Sequence, residues 1–242
     1  MEKKLELNII TKNVCCNINY PSQGEIKVSK FQLYDIDIRK IVHQYLYLSY
    51  IHDPTTKILH EFSLPFGEAI IDIAVLNQSL VGFEIKSDFD TLARLPVQIG
   101  YYNQIFDKII LVTTKKWLSK TIDLLPDWWG IYLLVNNCSL LSNSITEEIL
   151  YKSNDGIILK RVREPQKNAK INLEYRLQLL WKKELIKILE LYCLPSKYRY
   201  KTKQDIRGIL LDTISAEELK IWINFCIRQR YSNLLNTKKF CF

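Results

Sequence analysis

Asp72, Glu84 and Lys86 are the residues of this 242-residue chain whose types and spacing are suited to chemistry. Asp72 lies inside the apolar run from Ile70 to Val75, where an unpaired carboxylate is costly to bury. Glu84 and Lys86 end a second apolar run, and the two-residue period of a strand points both side chains to one face. Two converging carboxylates beside an ammonium group are suited to metal-assisted hydrolysis of a phosphodiester.

A hard cation such as Mg²⁺ or Mn²⁺ is the expected cofactor, because these ions prefer oxygen ligands. The predicted ligands all offer oxygen atoms at one end of the two strands: Asp72, Glu84 and the backbone carbonyl of Ile85. Glu61 is the preferred candidate for a further carboxylate and Glu68 is the next, although spacing fixes neither. Lys86 is expected to orient or deprotonate the attacking water, or to neutralise the pentavalent phosphate.

A strand hairpin and the elements around it must position these residues. The predicted elements, in chain order, are a helix from Asp35 or Asp37 to before Asp53, strands at 58–64, 69–76 and 80–85 with a hairpin at Asn77–Ser79, a helix capped by Asp90, a strand at 108–113, a short helix that stops before Pro126, and a strand at 129–135. This order predicts a mixed α/β domain, with a mixed central sheet flanked by helices.

The spacing of Asp72, Glu84 and Lys86 resembles the motif of the PD-(D/E)XK phosphodiesterase superfamily, which has the restriction-endonuclease-like fold. The resemblance implies a core of a helix, three strands, a helix and a further strand, and the predicted order is similar. Gln98 and Tyr102 lie four residues apart on one helical face. They resemble the Gln-x-x-x-Tyr element of the RecB-like branch, which implies roles in binding nucleic acid and positioning the site.

A closer resemblance is to a largely uncharacterised family of bacterial proteins. The shared elements are GFEIKSDFDTLARLPVQIGYYNQIFDKIILV at 82–112, PDWWG at 126–130 and LWKKE at 180–184, so the resemblance covers residues 35–232. Ile71 departs from the superfamily motif, since it stands where the motif name has a proline, but that proline is commonly absent. The resemblance implies a nuclease for which DNA is the favoured substrate, with a role in defence, repair or mobile-element biology.

The C-terminal part of the chain is strongly basic. Residues 1–150 carry 14 basic and 17 acidic side chains, whereas residues 151–242 carry 20 and 9. This asymmetry indicates contact with a polyanion or an acidic protein, and a solvated basic surface is the alternative. The predicted nucleic-acid-binding residues are Tyr102 and Arg94 near the site, and Lys197, Arg199, Lys201 and Lys203 in the most basic short stretch.

Three regions are predicted along the chain: an N-terminal arm or weak strand pair at 1–34, the nuclease-like core at 35–164, and a basic helical module at 165–242. In the last region, an apolar stripe predicts a helix from Asn172 that Pro195 ends. A second helix is predicted from Ser215, where Ser215 and Glu218 form a capping box.

Composition excludes several other classes of protein. With 48% hydrophobic and 25% charged residues, the chain is expected to fold rather than stay disordered. No apolar run is long enough for a membrane-spanning helix or a secretory signal, so a cytoplasmic protein without membrane contact is expected. The six cysteines include no Cys-x-x-Cys pair, and His43, His52 and His60 fit no local metal-ligand spacing. No glycine-rich phosphate loop or nucleophile elbow is present.

Alternatives to an active nuclease remain open. A catalytically decayed PD-(D/E)XK protein would keep the fold and the basic region and would bind nucleic acid without turnover. A helical interaction module docking onto an acidic protein would also explain the basic region, but it leaves the carboxylate of Asp72 without a purpose. A protein partner or a homodimer is compatible with each of these hypotheses.

Overall fold

Helices and strands alternate through residues 32–67, 69–136 and 148–235, which are the residues that this computed structural model describes. The elements, in chain order, are α1 (Asp35–Tyr50), β1 (Lys57–Ser63), β2 (Ile70–Leu76), β3 (Leu80–Lys86), α2 (Leu95–Ile105), β4 (Lys108–Thr114), α3 (Lys115–Ile122), β5 (Gly130–Asn136), β6 (Glu148–Lys152), β7 (Ile157–Arg163), α4 (Leu173–Leu177), α5 (Lys182–Leu191), α6 (Lys203–Thr213) and α7 (Ala216–Leu235). The predicted arm at 1–34 lies outside the described residues except for 32–34.

The strands of the described residues form a seven-stranded mixed sheet in the order β1-β2-β3-β4-β5-β7-β6. β1, β2 and β3 are antiparallel neighbours, β3, β4 and β5 run parallel, and β7 and β6 are again antiparallel. Parallel neighbours need crossover connections, which α2 and α3 supply. The mixed α/β class predicted from the sequence is therefore confirmed.

Apolar layers cover both faces of the sheet, so its central strands are almost continuously buried. On one face, α1 packs Ile38 and Val42 against the strands. On the opposite face, α2 and the C-terminal helices pack around residues such as Phe62 and Ile71, and Ile223 of α7 belongs to the same cluster. The helices after residue 165 therefore share a hydrophobic core with the sheet. None of the described helices combines the length and the apolar character needed to cross a bilayer.

Gly82 allows α2 to lie close to β3. A Cβ atom at this position would lie 2.3 Å from Ile71 Cδ1 and 3.1 Å from Phe106 Cδ1, which is too close for both neighbours to stay in place. Gly82 shares a strand face with Glu84 because side chains two residues apart point the same way. Gly82 therefore leaves room for Phe106, the C-cap residue of α2, on the face of β3 that carries Glu84.

The helix α2 begins four residues later than the sequence predicts. Asp90 does not cap it, because the Asp90 carboxylate accepts hydrogen bonds from the Ser87 amide at 2.7 Å and the Ser87 hydroxyl at 2.6 Å. Arg94 is the N-cap residue, and Pro96 lies in the first turn, where its fixed φ and missing N–H are tolerated. The prediction that Asp90 caps this helix is wrong because nearer donors in the turn take its carboxylate.

The single helix predicted from Asn172 to Pro195 is interrupted. Trp181 has an extended backbone, and its amide donates to Glu184 Oε2 at 2.7 Å, which starts α5. Arg230 of α7 holds both sides of the break: it donates to Glu184 Oε1 and to the Leu179 carbonyl, each at 2.9 Å. Apolar residues keep their helical spacing through the break, so the sequence pattern does not predict it. The contact with Arg230 of α7 stabilises the interrupted helix instead.

Three further elements, the strands β6 and β7 and the helix α6, were not predicted. The β6–β7 hairpin turns at Gly156, whose φ of 76° favours glycine, and the Asp155-Gly156 pair is a local signal for such a turn. The helix α6 starts after Thr202, whose hydroxyl accepts from the Asp205 amide at 3.1 Å while the Asp205 carboxylate accepts from the Thr202 amide at 3.3 Å. This is a capping box with Asp in the usual place of Glu.

Candidate active site

The strands β2 and β3 part at Asp72. Their ladder ends with the pair Ile73 and Phe83, and beyond it Asp72 Oδ2 accepts a hydrogen bond from the Ile85 amide at 2.7 Å. A buried amide needs an acceptor. Here the Asp72 carboxylate replaces the backbone carbonyl that β2 would supply if the two strands were still paired. The carboxylate is therefore fixed at the opening between the two strands.

Arg39 of α1 holds the other oxygen of Asp72. The guanidinium donates to Asp72 Oδ1 at 2.8 Å and to the Asp72 carbonyl at 2.9 Å, and it also pairs with Asp35 at 3.2 Å. Burial raises the pKa of Asp72, and the Ile85 amide and Arg39 only partly oppose this effect. The contacts with Arg39 and the Ile85 amide therefore offset only part of the cost of burying the negative charge of Asp72.

Glu84 and Lys86 lie on one face of β3, as predicted, and α2 covers that face. Lys86 Nζ donates to Glu84 Oε1 at 2.6 Å and to Gln98 Oε1 at 3.3 Å. The Tyr102 hydroxyl lies 2.8 Å from Glu84 Oε2 and 2.7 Å from the Ile70 carbonyl oxygen, and it accepts from Gln98 Nε2 at 3.2 Å. One hydrogen-bonded network therefore joins β2, β3 and α2.

This network is almost closed to solvent, since Glu84 is 2% and Lys86 4% exposed. Burial raises the pKa of Glu84 to about 6, and the charge of Asp72 also raises it, while Lys86 and Tyr102 oppose the change. Burial and the neighbouring Glu84 raise the pKa of Tyr102, so its hydroxyl stays protonated. The ring of Trp129 stacks on Tyr102 with centroids 6.2 Å apart and supports its position.

Asp72 and Glu84 supply carboxylate oxygens, which are the ligand type that a hard divalent cation prefers. Both oxygens of each group already have hydrogen-bond partners, so a cation would replace some of these contacts. Among the described residues, no three His, Cys, Asp or Glu side chains are grouped to hold a metal. The predicted carbonyl of Ile85, together with water or substrate oxygens, would have to complete the coordination.

Glu61 lies outside the hydrogen-bonded cluster. The register of β1 and β2 places it opposite Asp72, but its exposed side chain lines a cavity of about 450 Å³ beside α1. His43 and His60 line the same cavity, with Nδ1 and Nε2 of the two rings 3.0 Å apart. The role of Glu61 as a metal ligand stays a prediction, and Glu68 lies outside the described residues.

Tyr102, predicted to bind nucleic acid, is fully buried and its hydroxyl is bonded within the network. The other predicted nucleic-acid contacts lie on the surface. Arg94 is exposed at the start of α2. In the basic stretch, Arg199 pairs with Glu190, and the exposed lysines are Lys197, Lys201 and Lys203. Residues 196–200 form a short 3₁₀ helix, and Lys203 begins α6. Their contact with nucleic acid stays a prediction.

The sequence did not reveal the part played by Arg39. Its pairing with Asp35, four residues earlier, was a visible local signal. Its contact with Asp72 spans 33 positions and depends on how α1 docks onto the sheet. No local spacing could have found that contact.

Comparison with known proteins gives a family. The family described as Bacteriophage P4 protein cII matches residues 29–239. Protein cII of Enterobacteria phage P4 is 25% identical over 160 residues, which are 66% of this chain and 54% of that protein. The chain thus spans about half the length of this curated relative, and no solved structure matches it significantly. Because the match covers most of the chain, the protein belongs to the bacteriophage P4 protein cII family.

Proposed function

We propose that this protein is a metal-dependent nuclease of the PD-(D/E)XK type that hydrolyses phosphodiester bonds, with DNA as the favoured substrate. The observation that carries the proposal is that Asp72 bonds the Ile85 amide, between Glu84 and Lys86, which pair with each other where β2 and β3 part. The charges of Asp72 and Glu84 also interact. The element order α1-β1-β2-β3-α2-β4 supports it, because it is the order that the superfamily resemblance implies.

Each member of the cluster has a distinct role in this proposal. Mg²⁺ or Mn²⁺, held by Asp72, Glu84 and the Ile85 carbonyl, would polarise the scissile phosphate, lower the pKa of the attacking water and stabilise the departing oxygen. Lys86 places an ammonium group beside the phosphate and orients the water. Gln98 positions Lys86, with which it shares a hydrogen bond of 3.3 Å.

Tyr102 acts as a positioning residue for Glu84. Its hydroxyl contacts Glu84 Oε2 on one side and the Ile70 carbonyl on the other. Because Ile70 lies two residues before Asp72, the hydroxyl links the two strands that carry the carboxylates. This arrangement keeps Glu84 in place when Lys86 turns toward a phosphate.

The comparisons and the surface charge support the biological part of the proposal. Membership in a family described from a bacteriophage favours mobile-element biology over repair or defence. The exposed lysines at 197, 201 and 203 provide positive charge for the phosphate backbone. Nucleic acid is the partner that both features favour.

A catalytically decayed nucleic-acid-binding protein is the second candidate. It is favoured by one observation: both oxygens of Asp72 are already engaged, by Arg39 and by the Ile85 amide. Such a protein would bind nucleic acid through the same surface without cleaving it. The protein-interaction module is less favoured, because it gives no role to the network around Glu84.

The test is cleavage of labelled single- and double-stranded DNA and RNA with Mg²⁺ or Mn²⁺. Asp72→Asn and Glu84→Gln should abolish cleavage while the protein stays folded. Asp155→Asn is the matched control, because Asp155 is an exposed residue of the β6–β7 turn outside the cluster, and it should retain activity. Tight binding without cleavage by the wild type would favour the decayed protein, and neither binding nor cleavage would favour the interaction module.

A further inference from the structure

An exposed pair of aromatic rings lies beside the Lys86 end of β3. Tyr34 and Phe89 stack with ring centroids 4.2 Å apart and planes inclined by 9°. Tyr34 is 58% and Phe89 51% exposed, so the rings cover each other while much of each residue remains accessible. Exposed aromatic faces are the surfaces on which unpaired bases stack.

The turn that carries Phe89 is firmly held. The Asp88 carboxylate accepts from the Leu33 amide at 2.8 Å and from the Thr114 hydroxyl at 2.7 Å, and the Asp88 amide donates to the Leu33 carbonyl at 3.1 Å. Trp117 Nε1 donates to the Ser87 carbonyl at 2.8 Å. The ring of Phe89 is therefore presented by a rigid turn, which reduces the entropy lost on binding.

The same bonds place the two rings side by side. Because Leu33 pairs with Asp88, the residues that follow them, Tyr34 and Phe89, are neighbours. The position of Tyr34 is also fixed as the N-cap of α1, where its carbonyl accepts from the Asp37 amide at 3.1 Å. The stack thus joins the start of α1 to the turn after β3.

Two exposed cations and four carboxylates, Asp35, Asp37, Asp88 and Asp90, belong to the segments around the aromatic pair. Arg94 and Lys115 are exposed on the two segments that flank the turn. The carboxylates are engaged: Asp88 accepts from the Leu33 amide and the Thr114 hydroxyl, Asp90 from the Ser87 amide and Asp37 from the Tyr34 amide. Asp35 pairs with Arg39. Exposed aromatic rings and exposed cations together characterise single-strand sites.

We propose that Tyr34 and Phe89 form a stacking platform for an unpaired base, which makes single-stranded DNA, or a duplex with a single-stranded end, the substrate. The proposal rests on the proposed function for the position of the scissile phosphate. Phe89 follows Lys86 by three residues, so their Cα atoms lie at most about 11 Å apart. A strand bound at the platform therefore passes close to the end of β3 that carries Lys86, although the Lys86 side chain is buried and must turn outward to meet a phosphate.

The test measures binding of a fluorescein-labelled single strand, and of a blunt duplex of the same sequence, by fluorescence anisotropy. Ca²⁺ replaces Mg²⁺ so that binding is measured without turnover. Stacking on one aromatic ring is worth about 1–3 kcal/mol per base, so Phe89→Ala should weaken single-strand binding by about 5- to 140-fold. Binding of the blunt duplex should not change, because its bases are already stacked.

Three further variants separate stacking from other effects. Phe89→Leu keeps apolar bulk but lacks an aromatic face and should lose affinity as Phe89→Ala does, whereas Phe89→Trp should keep it. Tyr47→Ala removes a tyrosine of α1 that is 55% exposed and should leave binding unchanged. Thermal unfolding of each variant should match the wild type, since Phe89 is exposed.

The outcomes for the platform and for the nuclease can be told apart. Wild-type binding by Phe89→Ala and Phe89→Leu, or an equal loss for single strand and duplex, would overturn the platform even if cleavage is observed. A selective loss of single-strand binding without any cleavage by the wild type would support the platform and contradict the nuclease. A wild type that does not bind the single strand would overturn the platform directly.

Discussion

The guanidinium of Arg39 lies 2.8 Å from Oδ1 of Asp72 and ties helix α1 to the opening between β2 and β3. The second oxygen of the same carboxylate is held by the Ile85 amide. Asp72 is therefore positioned before any metal binds, and the sheet cannot close at this point without giving up both contacts. A carboxylate fixed in this way needs little rearrangement to act as a ligand.

Replacing Arg39 should show how much this contact stabilises the fold. Arg39→Ala removes two hydrogen bonds to Asp72 and leaves a mostly buried carboxylate without its cation. We expect the free energy of unfolding to fall by about 1.5–3 kcal/mol, the range for hydrogen bonds to charged groups. Urea denaturation at pH 7 measures this free energy of unfolding, and Arg94→Ala, which removes an exposed arginine, is the control. Equal stability of the Arg39→Ala variant and the wild type would contradict a structural role for this contact.

The stability of the metal-free protein should depend on the protonation of Glu84. Burial raises the pKa of Glu84 from 4.5 to about 6, so between these values the folded state binds more protons than the unfolded chain. Stability from this group is therefore highest below pH 4.5 and falls by about 2 kcal/mol as the pH rises through 6.

Glu84→Gln should remove that decline, because the amide does not titrate. Urea denaturation at pH 4.5, 5.5 and 7, with a chelator present, gives the comparison, and Glu174→Gln on the surface is the control. If the variant and the wild type lose the same stability over this pH range, another group is responsible and the assignment to Glu84 is wrong.

Another buried ion pair anchors the C-terminal helices at the other end of β3. Arg176 is fully buried and donates to Asp107 at 3.0 and 2.8 Å and to Asn224 Oδ1 at 2.8 Å. Arg176→Ala should lower the free energy of unfolding by about 3–5 kcal/mol, because it leaves Asp107 without its cation. Lys220→Ala, which breaks a surface pair with Glu217, should cost less than about 1 kcal/mol. A similar cost for both variants in urea denaturation would argue against the anchor.

The basic stretch between α5 and α6 gives a prediction about salt. Replacing Lys197, Arg199, Lys201 and Lys203 with Ala should weaken nucleic-acid binding and flatten its salt dependence, by about 0.9 in log–log slope for each duplex phosphate that these side chains neutralise. Arg199 should contribute least, because it already pairs with Glu190. Lys152→Ala, an exposed lysine of β6, is the control. An unchanged slope for the quadruple variant would remove this stretch from the interface.

Local spacing predicts the parts of the site that local geometry decides. Glu84 and Lys86 share a strand face, and Gln98 and Tyr102 share a helix face, so strand and helix periods were enough to group them. The hairpin at Asn77–Ser79 then places β2 beside β3, as predicted.

Contacts between distant segments account for what the sequence did not show. Arg39 reaches Asp72 across 33 positions, and Arg230 interrupts the predicted helix at Trp181 from 46 positions beyond Glu184. Asp90 is a different case, because its carboxylate had two possible local partners: the first turn of the predicted helix and the donors of Ser87. It bonds the Ser87 donors. Such outcomes depend on tertiary packing, which apolar periodicity does not encode.

The most direct test of the central claim is the single-turnover rate of DNA cleavage with Mg²⁺ or Mn²⁺ for the wild type and for Lys86→Met, which keeps the length of the side chain. Circular dichroism and urea denaturation establish that the variant is folded, and Lys120→Ala on α3 is the matched lysine control. We expect metal-dependent cleavage by the wild type and the control, and a rate lower by about 10²- to 10⁴-fold for Lys86→Met, the usual contribution of a positioned acid–base group. Cleavage by Lys86→Met at the wild-type rate, or cleavage by the wild type in the presence of a chelator, would contradict the assignment of Asp72, Glu84 and Lys86 as the catalytic cluster.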